Sequence, residues 1–113
     1  MPKQKLSPLP AAAFQIMMSL ADQDLHGYEI MRRVEEQTDG RTRLGPGTLY
    51  SSIQTLLEAG FIAEVSNDNA SDERRRYYRL TASGRKASRE EAERLAGVVR
   101  LARSKKLLKG EYV

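Results

Sequence analysis

Apolar residues fall at helical spacing near the start of the chain. Ala13, Ile16, Met17 and Leu20 stand at i, i+3, i+4 and i+7, which predicts an amphipathic helix behind Pro8 and Pro10, where a missing N–H costs nothing. After a break at Asp22–His26, a second helix is predicted from Gly27 to Thr38, with Gly27, Met31, Val34 and Thr38 on one side and an Asp39-Gly40 turn at its end. The basic, Gly/Pro-punctuated stretch Arg41–Gly47 reads as a connector. A third helix over 46–59 starts near Pro46, shows Leu49, Ile53, Leu56 and Leu57 on one face, and stops at Gly60.

A hairpin over 61–80 follows. Phe61–Val65 alternates loosely as a strand, and the polar segment Ser66–Glu73 holds the turn residues Asn67, Asp68 and Asn69. In the returning strand Arg76, Tyr78 and Leu80 share one face, while Arg75, Tyr77 and Arg79 share the other. Thr81 is a good N-cap for a last helix over most of 82–108, with Gly97 as its weak interior spot. The order α-α-α-β-β-α predicts a mainly helical fold with a small β-hairpin, the plan of a winged helix-turn-helix. Residues 1–81 make its binding domain and 82–113 a long C-terminal helix and tail.

That last helix would be roughly 40 Å long at 1.5 Å per residue, against a radius of gyration near 13 Å for a compact domain of this size. It must project, yet Leu95, Val98, Val99, Leu101, Ala102 and Leu108 keep it apolar. A second copy of the chain is the simplest cover, so a homodimer is expected.

Composition narrows the chemistry. Lys and Arg number 19 and Asp and Glu 15 in 113 residues, a formal charge of +4, mild enough that its placement matters more than its size. There is no cysteine, which excludes disulfides, thiolate metal sites and cysteine nucleophiles. The apolar run Ala11–Leu20 is broken by Gln15 and too short to cross a bilayer, so a cytoplasmic protein is expected. His26 is the single histidine, suited to capping the second helix or to bonding a neighbour through its imidazole, and Glu90, Glu91 and Glu93 are interleaved with Arg89 and Arg94 as solvated ion pairs. No catalytic, metal or cofactor site is expected, and the chain does not read as an enzyme.

In a winged helix-turn-helix the third helix fits the major groove of double-stranded DNA. On a 100° wheel Thr48, Ser51, Gln54, Thr55 and Glu58 point away from the Leu49 face, with Tyr50 on the flank. Hydroxyls and an amide there suit base edges and phosphate oxygens. This face lacks Lys and Arg, so bidentate guanine readout is not available from it. Arg74, Arg75 and Arg76, with Tyr77 beside them, suit phosphate contact from the hairpin. Scarce aromatics argue against RNA. The neutral helix face and the acidic Asp68, Asp72 and Glu73 support the alternative, a winged-helix protein–protein interaction module without DNA binding.

Four segments in order carry a family resemblance: His26-Gly27-Tyr28-Glu29, Pro46-Gly47-Thr48-Leu49-Tyr50, Leu56-Leu57-Glu58-Ala59-Gly60-Phe61-Ile62, and Arg76-Tyr77-Tyr78-Arg79-Leu80-Thr81-Ala82-Ser83-Gly84. Together they resemble the PadR family of transcriptional regulators, and the chain is similar to its short subgroup with a single C-terminal helix. The resemblance implies a repressor that binds a pseudo-palindromic operator as a homodimer, joined by the C-terminal helix with help from the first helix, here through Phe14. It also implies a small-molecule effector as a partner class, since some members respond to phenolic or drug-like ligands. The place for one is a pocket near Leu95, Val99 and Phe14, although a filled apolar seam suits these residues better. Gly84 is expected to permit close packing.

Overall fold

In the computed structural model, which describes residues 8–66 and 76–109, the first apolar repeat forms helix α1, Ala11–Ser19. Its burial is broader than the expected single face: Ala13, Phe14, Ile16, Met17 and Ser19 are all buried. The reason is position, since α1 packs against α2 (Gly27–Gln37), α3 (Pro46–Ala59) and α4 (Ala82–Ser104). A helix enclosed from several sides needs apolar residues most of the way round. Ser19 meets the cost of burying its hydroxyl by donating to the Ile16 carbonyl at 2.6 Å.

Helix α2 opens on His26, whose Nδ1 accepts the Glu29 N–H at 3.4 Å. Its inward row differs from the expected one. Gly27, Ile30 and Val34 are buried at i, i+3 and i+7, while Met31 is only half-buried on the core's edge. Thr38 serves the turn that follows, donating to the Val34 carbonyl at 2.9 Å and accepting the Thr42 N–H at 3.0 Å.

The expected break at Asp22–His26 contains a strand. Leu25–His26 (β1) pairs antiparallel with Tyr77–Leu80 (β3), which pairs on its other edge with Ile62–Val65 (β2). The hairpin is therefore part of a three-stranded sheet of order β1-β3-β2. Leu25 lies opposite Tyr78 and Ile62 opposite Leu80, and all four are buried on the face toward the helices. On the rim, Arg79 grips Asp24 with two hydrogen bonds of 3.1 and 2.8 Å, holding the short β1 to β3.

Two turns set where α3 and α4 lie. Gly60, at φ 78°, ends α3 in the left-handed region, which lets the Phe61 N–H reach back to the Leu56 carbonyl at 3.0 Å. Thr81 then caps α4, accepting the Gly84 N–H at 3.0 Å while its hydroxyl donates to the Gly60 carbonyl at 2.7 Å. Gly84 is buried where the first turn of α4 meets the Phe61 backbone just before β2: a Cβ built on it would stand 2.0 Å from the Phe61 carbonyl oxygen. Helix α4 stops at Ser104 and not near 108. The Lys106 N–H bonds the Arg103 carbonyl and the Leu107 N–H the Ala102 carbonyl, both at 2.9 Å, closing a left-handed turn.

Two carboxylates clamp the fold. Glu91 of α4 is 6 % exposed, accepts the Leu9 N–H at 3.3 Å, and is held by Arg94 at 3.1 and 2.6 Å. The Arg94 contact lowers its pKa, against the opposing effect of burial and with help from the Leu9 N–H. Arg79 likewise holds Asp24 below its ordinary value. A carboxylate whose folded pKa is depressed stabilises the fold above its unfolded pKa, and the contribution is lost as pH falls through the folded value. The melting temperature is therefore expected to fall on acidification below about pH 5. Glu91→Gln should melt a few degrees lower near neutrality and with a shallower acid slope; parallel wild-type and variant curves would remove Glu91 from this role.

Candidate nucleic-acid interface

Helix α3 owes its orientation to Leu49, Ile53 and Leu56, which are 1 %, 2 % and 0 % exposed. Pinning that stripe against α1, α2 and β2 leaves the opposite side to solvent, and Thr48, Tyr50, Ser51, Gln54, Thr55 and Glu58 are all exposed. The helix begins at Gly45-Pro46-Gly47 without a side-chain cap, so its first N–H groups face outward unclaimed by a side chain.

The exposed side chains are not equally free. Thr55 turns its hydroxyl back to the Ser51 carbonyl at 3.1 Å, and the Gln54 amide donates to Glu58 at 3.2 Å. Tyr50 is 53 % exposed, yet its hydroxyl sits close enough to Gly27 that a Cβ there would fall 2.6 Å from it. Its ring therefore rests on the start of α2 as well as facing solvent. Burial raises the pKa of the neighbouring Tyr78 hydroxyl, and the charge of Glu64 raises it further. Tyr78 belongs to the core and Tyr77 lies half-buried in edge contact with the His26 ring, at 5.3 Å between centroids.

Of the three expected hairpin arginines, Arg74 and Arg75 lie outside the described residues. Arg76 is exposed and only loosely paired, 3.9 Å from Glu64. In the connector before α3, Arg43 is similarly loose, 3.9 Å from Glu35, and Arg41 is exposed. Exposed pairs of this length are worth roughly 0–1 kcal/mol, so these guanidinium groups exchange partners readily. Arg79 is different, because both of its bonds go to Asp24.

The residues expected at a dimer interface separate into two groups. Leu95, Val98 and Leu101 are 37 %, 51 % and 59 % exposed, while Val99, Ala102 and Leu108 are half-buried. Phe14, at 8 %, is packed into the core cluster with Ile16 and Met17, so the seam suggested for an effector loses one wall. Among the described residues, no helix is long and apolar enough to cross a membrane, and no His, Cys, Asp and Glu cluster could hold a metal ion.

Comparison with known proteins agrees with this geometry. The model of the transcriptional regulator PadR-like family matches residues 16–90. A transcriptional regulator from Clostridium thermocellum is 27 % identical with a TM-score of 0.71, over 82 % of this chain and 87 % of that one. A PadR family transcription regulator from Clostridium difficile is 25 % identical with a TM-score of 0.74, over 84 % and 97 %. Bacillus subtilis PadR, solved in complex with operator DNA, shares the fold at 23 % identity and a TM-score of 0.62, over 78 % of this chain and 48 % of that one. The chain spans 64 % and 23 % of the lengths of two curated relatives.

Proposed function

Since this chain belongs to the PadR-like family of transcriptional regulators, a family of regulators and not of enzymes, we propose that it is a repressor acting as a homodimer on a pseudo-palindromic operator in the cytoplasm. Helix α3 enters the major groove, where Thr48, Tyr50, Ser51, Gln54 and Thr55 contact bases and phosphates. Arg74, Arg75, Arg76 and Tyr77 of the hairpin follow the backbone beside it. Residues 1–81 form the DNA-binding part. The C-terminal part, 82–113, pairs the two copies through Leu95, Val98, Leu101 and their neighbours.

The observation that carries this reading is the division of α3, with one side committed to the core and the other polar and exposed to solvent. Its lack of Lys and Arg assigns sequence choice to short polar side chains and leaves affinity to the flanking arginines. Phosphate contacts release condensed counterions, about 0.9 units of salt slope per neutralised charge on duplex DNA. Base contacts act on one sequence only.

The test is affinity against salt for selected and random duplexes. Gln54→Ala should cost on the order of 1–3 kcal/mol on the selected duplex and little on random DNA. Arg75→Ala should weaken both and flatten the salt dependence by roughly one unit per protomer. Binding indifferent to sequence and salt in every form would favour the protein-interaction module instead.

A further inference from the structure

Two side chains on the open face of α3 are not independent. The Gln54 Nε2 donates to the Glu58 Oε2 at 3.2 Å, one helical turn further on, and both residues are exposed. A primary amide carries two N–H donors and one carbonyl acceptor, while an ionised carboxylate only accepts. Contact with Glu58 therefore settles which end of the amide is which. Turning the amide over would set Oε1 against a carboxylate oxygen, two acceptors in contact. Held this way, Gln54 retains Oε1 as an acceptor and one unused N–H. Nearby, the Thr55 hydroxyl hydrogen is spent on the Ser51 carbonyl, so its oxygen adds only lone pairs. With no Lys or Arg anywhere in 46–59, acceptors and negative charge dominate this end of the face.

The major groove distinguishes bases by the pattern that this face would meet. Adenine shows an acceptor, N7, beside a donor, its N6 amino group; guanine shows two acceptors, N7 and O6. The oriented amide fits adenine at both positions, Oε1 accepting from N6 and the free N–H donating to N7. Guanine offers Oε1 no donor, and meeting both of its acceptors would take both N–H groups, one of which the contact with Glu58 already uses. Guanine would also bring its two acceptors near the carboxylate.

We propose that Gln54 and Glu58 act as one reading unit, in which Glu58 orients the Gln54 amide so that it selects adenine and excludes guanine at one position of each half-site. The proposal rests on the DNA-binding reading above and gives it a base. Gln54 touches the base; Glu58 is a positioning residue that acts through it.

The experiment selects duplexes from a randomised pool with the full chain. It then compares affinities for the selected duplex and its adenine-to-guanine counterpart, using wild type, Gln54→Ala, Glu58→Ala and Glu58→Gln. Wild type should favour adenine on the order of ten- to a hundred-fold. Gln54→Ala should lose that preference at this position and no other. Glu58→Ala frees the amide to turn and should lower the ratio several-fold without abolishing it, since the amide alone still matches adenine, whereas Glu58→Gln, whose carbonyl still accepts from Gln54, should lower it less. Using the ratio cancels any general gain from removing a negative charge near phosphates. Wild type that binds duplexes with no adenine position sensitive to Gln54→Ala, or Glu58→Ala that keeps the full ratio, overturns this proposal alone. Wild type that binds no duplex overturns it together with the reading beneath it.

Discussion

Leu95→Asp combined with Val98→Asp is expected to turn the protein into a folded monomer with strongly weakened operator affinity. Beyond Glu91, α4 is mostly exposed in the single chain, and the molecule measures 52 × 36 × 24 Å with a radius of gyration of 15.6 Å, against roughly 13 Å for a compact domain of this size. Leu95, Val98 and Leu101 lie exposed along this half of the helix, an arrangement that burial against a second copy would relieve at about 25 cal/mol per Å² of apolar surface. In a two-fold assembly both substitutions occur twice, so four carboxylates would have to be desolvated without partners. Dimer affinity should fall by two orders of magnitude or more, and operator binding with it, because each half-site would be held alone. The same side chains are solvent-facing in one chain, so helix content by circular dichroism should stay near wild type. Light scattering decides the matter: an intact dimer would show that α4 is not the seam.

How much of this was legible beforehand depends on whether a residue's role is local. Helix α3 was readable because its one-sided burial, its Pro46 start and its Gly60 stop are all properties of the segment itself. The Thr81 and His26 caps and the inward side of β3 were readable for the same reason. Strand β1 was not, since two residues cannot show alternation and its identity comes from pairing with β3. Leu9 and Leu44, 6 % and 8 % exposed, sit in Pro- and Gly-punctuated stretches where no periodicity marks them as core. Glu91 read as one member of a solvated charge run, and only the approach of the Leu9 backbone buries it. Phe14 is placed beside a partner by the family resemblance alone, and no local signal in α1 shows that three neighbouring helices enclose it and pack Phe14 into the chain's own core.

The site divides in the same way. A wheel sufficed to place Thr48, Ser51, Gln54, Thr55 and Glu58 in solvent. It could not show that Tyr50 rests on Gly27, that Thr55 bonds the Ser51 carbonyl, or that Gln54 and Glu58 are linked, because these depend on rotamers. The reason for Arg79's engagement was also hidden, since Asp24 is 55 residues away in sequence and meets it only once β1 has paired.

Gly84→Ala should be more damaging than the same change at the other described glycines, and Gly97→Ala is its control on the same helix. An added Cβ at Gly84 meets the Phe61 carbonyl oxygen at 2.0 Å and the Leu80 Cδ1 at 2.8 Å. The first obstacle is backbone, fixed by the Thr81 N–H, which donates to that same oxygen at 3.0 Å, so no rotamer change can relieve it. Overpacking a tight site costs typically 1–3 kcal/mol and sometimes more; with a backbone atom in the way the upper end applies, and about 3 kcal/mol corresponds to a melting temperature lower by roughly 10 °C or more. At Gly97 the nearest atom to an added Cβ is the end of the Arg100 side chain at 3.5 Å, ordinary contact, and Ala should gain about 0.5–1 kcal/mol through helix propensity. The functional consequence follows from where Gly84 sits. It joins the first turn of α4 to the root of the hairpin, so moving α4 away shifts the seam relative to α3 and changes the spacing of two recognition helices. At a temperature where Gly84→Ala is still folded, operator affinity should therefore drop more than affinity for random DNA, while Gly97→Ala leaves both unchanged. Equal melting temperatures for the two variants would mean that the approach of α4 to Phe61 is not a fixed feature of the fold.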